Sequence, residues 1–162
     1  MDDWQDRVDA VWADDRLDPA EVIRRIDELA GERPAEDAVA LFERAGARDS
    51  AGLEEEAEPL YRRALALGLD DDRRTRATIQ LASTIRNLGK TDEALGMLRV
   101  EYEREPRGPL HDAAAAFYAL ALVSSGAPER AASIALQALA PHLPRYTRSV
   151  TGYAREIADE SR

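Results

Sequence analysis

Gly52, Gly89 and Gly126 stand 37 residues apart, and five residues after each comes an alanine: Ala57, Ala94 and Ala131. The alanine register runs back one further period to Ala20. Alanine is abundant in this chain, but three of only nine glycines fall on the same register. A fixed period of roughly 20 to 50 residues means that one supersecondary unit has been copied along the chain, each copy too small to bury its apolar face alone. No other feature narrows the fold so much.

The residues around each glycine read as a turn followed by a helix start: Gly52-Leu53-Glu54-Glu55-Glu56-Ala57, Gly89-Lys90-Thr91-Asp92-Glu93-Ala94 and Gly126-Ala127-Pro128-Glu129-Arg130-Ala131. Glycine takes the left-handed conformation that ends a helix, and acids or proline suit the first turn of the next. Upstream, Ile79, Ala82, Ile85 and Leu88, and then Ala115, Tyr118, Ala119 and Leu122, keep helical spacing. Downstream, Leu60, Tyr61, Ala64, Leu65 and Leu67, and then Met97, Leu98 and Tyr102, give a companion helix its buried stripe. Each copy is predicted to be a helix, a turn and a second helix.

On these residues the chain resembles the tetratricopeptide repeat family, whose unit of about 34 residues is such a helix pair. Residues 38–74 carry the resemblance through Ala45, Gly52, Ala57, Tyr61 and Ala64, residues 75–111 through Leu81, Ala82, Gly89, Ala94 and Pro106, and residues 112–148 through Tyr118, Ala119, Gly126, Ala131 and Ala138. One period earlier, Trp4, Val8, Val11 and Ala20 make residues 1–37 a degenerate capping repeat. There Asp15 replaces the glycine, and Arg24 and Asp27 stand where the family has an aromatic and an alanine. Asp18 followed by Pro19 still marks a helix start. Residues 149–162 place Val150, Tyr153, Ala154 and Ile157 at helical spacing opposite Arg155, Glu156, Asp159 and Glu160, the pattern of a solvating C-terminal helix. The implied fold is all-α, a right-handed superhelical array of antiparallel helix pairs, about nine helices in one domain over residues 1–162. Pro59, inside the second helix of its copy, is expected to cost a backbone hydrogen bond or to shift the helix start. The resemblance is to a small bacterial member, and a single lysine, Lys90, among many arginines fits a GC-rich genome.

Charge and composition narrow the function. The formal net charge is -10, and residues 1–60 hold 19 acids against 7 arginines. Such a surface repels phosphate backbones, so nucleic acid is not the expected partner, and a protein of basic character is easier to accommodate. The chain has no cysteine, which removes disulfides, thiol nucleophiles and thiolate metal sites. The apolar run Ala113 to Val123 is too short for a membrane span and the N-terminus is acidic, so a cytoplasmic protein without a membrane or secretion segment is expected.

No catalytic or cofactor constellation emerges. Gly89-Lys90-Thr91 copies the end of a phosphate-binding loop, but Thr84 replaces the required first glycine and a helix precedes it instead of a strand. His111 and His142 lack metal-ligand spacing. Ser124-Ser125-Gly126 sits on a repeat turn, not a nucleophile elbow, and Glu54-Glu55-Glu56 suits the positive end of a helix. Neither an enzyme activity nor a cofactor is expected.

What remains is a surface. In the family the first helix of each pair lines a concave groove, and the resemblance assigns Asp2, Gln5, Asp6, Asp9 and Trp12 from the first copy and Val39, Phe42, Glu43, Gly46 and Asp49 from the second. The third gives Arg76, Ile79, Gln80, Ser83, Arg86 and Asn87, and the fourth Ala113, Ala116, Phe117, Leu120 and Val123. The groove is expected to pass from acidic, through a band with two arginines, to apolar. Arg76, Arg86, Gln80 and Asn87 are candidates for gripping a partner's carboxylate or main chain. Trp12, Phe42 and Phe117 are candidate hydrophobic anchors. Two alternatives stay beside these roles: pairing of Arg76 and Arg86 with Glu43, Asp49 or Asp112, and a core role for the aromatics. The lysine and asparagine clamp of chaperone-binding members is absent, since its columns hold Phe42, Gly46, Gln80, Ala113 and Phe117. The expected function is a scaffold or adaptor that binds a peptide or helix of a partner protein, with a homodimer formed through the repeat surface as the alternative.

Overall fold

A computed structural model describes residues 3–160. Among these residues are nine α-helices and no strand. They are α1 (Trp4–Ala13), α2 (Pro19–Ala30), α3 (Ala38–Ser50), α4 (Glu54–Leu67), α5 (Asp71–Asn87), α6 (Thr91–Tyr102), α7 (His111–Ser124), α8 (Pro128–Leu139) and α9 (Thr147–Glu160), with a single 3-10 turn at Ala140–His142. The chain divides into two compact units, Met1–Thr84 and Ile85–Arg162, the division falling inside α5.

The repeated glycines work as the sequence predicts. Gly52, Gly89 and Gly126 have φ of 73°, 82° and 84°. Each donates its N–H to the carbonyl three residues back, while the following residue reaches five back: Leu53 to Arg48, Lys90 to Ile85 and Ala127 to Leu122, all at 2.9 Å. This paired closure satisfies carbonyls that a helix end would otherwise leave open, and it needs a residue without a Cβ penalty at positive φ. The next helix begins two residues after each glycine.

In the first unit α1 packs on α2, α2 on α3 and α3 on α4. Trp4, Val8 and Val11 of α1 meet Ile26 and Ala30 of α2 and Ala40 and Ala47 of α3 in one buried cluster, flanked by Leu17, Val22 and Ile23. The Trp4 indole donates to the Leu29 carbonyl at 2.7 Å, so the ring buries its area without orphaning its N–H. Asp18 and Asp37 cap α2 and α3 by accepting from the N–H of Glu21 and Ala40. Asp27, a departure from the family pattern, accepts from Arg44 and Arg48 of α3. Burial alone would raise its pKa, but the hydrogen bonds and charges of the two arginines together outweigh it and hold the carboxyl below the usual range.

The second unit packs α6 on α7, α7 on α8 and α8 on α9. Its core is small-residue rich: Ala94, Ala114, Ala115, Ala121 and Ala131 are buried beside Leu98, Tyr118, Leu122 and Ile134. Tyr102 lies between Tyr118 and His111, with centroids 5.4 and 5.3 Å away. α9 is tied down where the buried Ser133 hydroxyl donates to the Ala154 carbonyl at 2.6 Å.

One sequence expectation needs adjustment, and the choice left open at Pro59 is decided. The alanine register holds at Ala57, Ala94 and Ala131, each buried as the fourth residue of its helix, but Ala20 is exposed. α2 begins 35 residues before α4, whereas α4, α6 and α8 begin 37 apart. A full period therefore lands two residues early, and Val22 holds the fourth position of α2. Pro59 leaves the start of α4 at Glu54 and sits exposed within the helix, so the carbonyl it cannot serve lies on the solvent side.

Candidate functional site

The first unit carries a pocket of about 230 Å³. α1 supplies Trp12, α3 supplies Phe42, Glu43, Gly46, Asp49 and Ser50, and α5 supplies Arg76 and Gln80. These are the first helices of three successive pairs, brought together on one face. The helical spacing of Phe42, Glu43, Gly46 and Asp49 puts all four on one stripe of α3. The Trp12 ring lies against Gly46, its Cζ2 3.5 Å from where a Cβ would stand, an ordinary van der Waals contact.

Two carboxylates form the polar wall. Glu43 is 5% exposed and accepts the Trp12 indole N–H at 2.8 Å. Burial pushes its pKa up, against the pull of that hydrogen bond and of the Arg76 and Arg73 charges. Asp49 accepts from the Thr84 hydroxyl at 2.9 Å and the Tyr61 hydroxyl at 3.3 Å, and burial raises its pKa as well. Tyr61 is fully buried, so burial and the neighbouring Asp49 charge keep its hydroxyl protonated far above the ordinary range. The Gln80 Oε1 atom is buried and accepts no hydrogen bond.

The candidate residues separate under this geometry. Trp12 is 40% exposed at the pocket, while Phe42 and Ile79 are 2% and 5% exposed and belong to the core. Phe42 is held by Tyr61 at 6.2 Å and covered by the Arg76 guanidinium 5.2 Å from its centroid, so its part in the pocket is an inner wall and not an open anchor. Arg76 makes its ion pair with Asp72, at 4.0 Å, instead of Glu43 or Asp49. Gln5 donates to Asp9 and accepts from Arg73; Asp6 and Asp9 are exposed, and Ser83 and Val39 are half-buried. Asp2 lies outside the described residues.

In the second unit Arg86 reaches Ser124 at 3.4 Å and Asn87 at 3.1 Å, and Asp112 pairs with His142 at 2.8 Å, so the alternative pairing of Arg86 with Asp112 is not the one formed. Leu120 and Val123 on α7 are 47% and 56% exposed, Ala116 is exposed, and Phe117 and Ala113 are half-buried.

Ser50, Tyr61 and Thr84 are not among the sequence candidates, yet Ser50 lines the pocket and the other two complete the Asp49 wall. A signal existed for Thr84: it stands in the column of Ala47 and Ala121, and a hydroxyl in an otherwise alanine column needs a partner.

Among the described residues no group of three His, Asp or Glu side chains is placed to hold a metal ion, and no helix is long and apolar enough to cross a membrane. Successive antiparallel helix pairs joined by the same glycine turn define a helical-hairpin repeat protein. The Tetratrico peptide repeat family model matches residues 38–157, well over half of the chain, and the chain belongs to that family. Members are generally non-catalytic interaction modules that bind protein partners. A search of curated proteins returned no match.

Proposed function

We propose that the face shared by α1, α3 and α5 docks a segment of a partner protein at the Trp12 pocket, and that the chain acts as a non-catalytic adaptor. The observation that supports this most directly is the pocket itself, lined by three successive first helices and holding a half-open tryptophan beside a buried carboxylate. Arg76 at its edge, with a side chain 48% exposed and only a long 4.0 Å pairing with Asp72, has N–H groups left to grip a main-chain carbonyl of the segment. Nucleic acid is disfavoured by the first unit's charge, 22 acids against 12 arginines. The test is cross-linking and capture from native lysate with wild-type protein and with Trp12→Ala and Arg76→Glu. Loss of the same partner in both variants is expected. A capture pattern unchanged by either variant removes the pocket from the docking surface.

A second reading rests on Leu120 and Val123, whose exposure on α7 gives the second unit an apolar face suited to self-association. Sedimentation analysis separates it from the first. A concentration-independent monomer rules it out.

A further inference from the structure

We infer that the Trp12 pocket receives an arginine side chain of the partner segment. This assignment rests on the docking reading and adds the chemistry of the residue recognised. At about 230 Å³ the pocket falls below the roughly 300 to 1,000 Å³ of small-molecule sites, and suits one long side chain.

Its lining has more acceptors than donors. A carboxylate offers about four acceptor sites; Glu43 is buried and accepts from Trp12, and Asp49 accepts from Thr84 and Tyr61. Gln80 Oε1 is buried in the same lining with no donor at all. A buried acceptor left unpaired is destabilising, so a ligand that brings several N–H groups gains most here. A guanidinium brings five in a rigid plane, and that plane stacks on an aromatic face such as the half-open Trp12 ring.

Charge agrees. Against Glu43 and Asp49 the pocket lining sets one cation, Arg76, whose side chain is 48% exposed and therefore screened by solvent, with Arg73 acting on Glu43 from outside the lining. The unit around it carries ten more acids than arginines, a field that draws cations toward the surface. Burial raises both Glu43 and Asp49, and a guanidinium bound beside them would favour their charged forms.

The probe is a capped pentapeptide, acetyl-Gly-Gly-Arg-Gly-Gly-amide, titrated into the full ¹⁵N-labelled chain. The readout is the Trp12 indole N–H, one of two indole signals in the protein. That signal is expected to move and saturate with the arginine peptide. The citrulline counterpart, equal in shape and uncharged, should bind roughly tenfold more weakly, and Glu43→Gln should cost a similar factor. Gln80→Glu, which adds charge where the orphan acceptor stands, should tighten binding, a gain that damage to the fold cannot imitate. Equal binding of the citrulline peptide, or weaker arginine binding in Gln80→Glu, overturns the assignment. The capture assay separates the two levels. If Trp12→Ala and Arg76→Glu lose the partner while the pocket shows no preference for arginine, the arginine assignment fails and docking stands. If the pocket selects arginine while capture ignores both variants, the assignment stands and the docking reading fails.

Discussion

Glu43, Gly46 and Asp49 on α3 occupy the repeat columns that Phe117, Leu120 and Val123 occupy on α7, 74 residues later. The first set lines a polar pocket; in the second Leu120 and Val123 stand exposed on an apolar helix face. The net charge divides in the same way, since Met1–Thr84 holds 22 acids against 12 arginines and Ile85–Arg162 holds ten of each sign. Both units use the same glycine turn and the same buried alanine at the fourth position of the following helix. Scaffold and surface have thus varied separately. Turn and packing columns stay fixed because close helix approach and positive φ leave few residues that fit, while the solvent-facing columns are free to carry recognition.

The largest effect that probes this contrast should come from the cores. Trp4→Ala removes the ring that joins α1 to α2 in the first unit and should cost about 3 to 5 kcal/mol in denaturant unfolding. Leu98→Ala in the second unit should cost about 2 to 5 kcal/mol. Separate transitions for the two variants would sharpen the division into units, and one shared transition would blur it. Next, Asp27→Ala leaves Arg48, whose side chain is 11% exposed, without its main partner and should cost about 2 kcal/mol. Asp112→Asn breaks the exposed pair with His142 in the other unit and should cost under about 1 kcal/mol; equal losses would mean that the second pair is less solvated than its exposure suggests.

Gly52→Ala and Gly126→Ala place a Cβ at positive φ with no atom within 4 Å of it, so the cost is purely conformational, about 1 kcal/mol in each unit. Unequal costs in thermal unfolding would show that the two turns are not equivalent. Glu43 offers a finer test. Its folded pKa is raised by burial, so the folded state binds the proton more tightly than the unfolded chain. Stability should fall as pH rises from the ordinary carboxylate value of about 4.3 through the raised one. Glu43→Gln should remove that component, and a difference curve flat from pH 4 to neutrality would refute it. Smallest of all, Leu120→Ser changes an exposed position and should shift stability by less than about 0.5 kcal/mol; a larger loss would mean that this face is covered.

Much of this architecture was legible because it repeats. The periodic glycines located the turns, Asp18 and Pro19 located the start of α2, and Ala57, Ala94 and Ala131 located the buried column. The candidate face was partly legible as well, since Trp12, Phe42, Arg76 and Gln80 do line one pocket. The exposure of each side chain was not. Phe42 and Ile79 fall in groove columns, yet both are buried, Phe42 because Tyr61 and Arg76 close over it. Ala20 misled because the first period is two residues short, which the helix start at Pro19, 35 residues before Glu54, marks and the alanine register does not.

The sequence by itself determined the repeat, the helix pairing and the first unit's negative charge, because each depends on local conformation or on a sum over residues. Tertiary structure decided which of those residues form a site. Only the packing of α1, α3, α4 and α5 could show that Glu43 is buried beneath Trp12, that Thr84 and Tyr61 converge on Asp49, and that Gln80 Oε1 is left without a donor. Desolvation and hydrogen-bond partnership arise between segments far apart in the chain, so no local pattern encodes them.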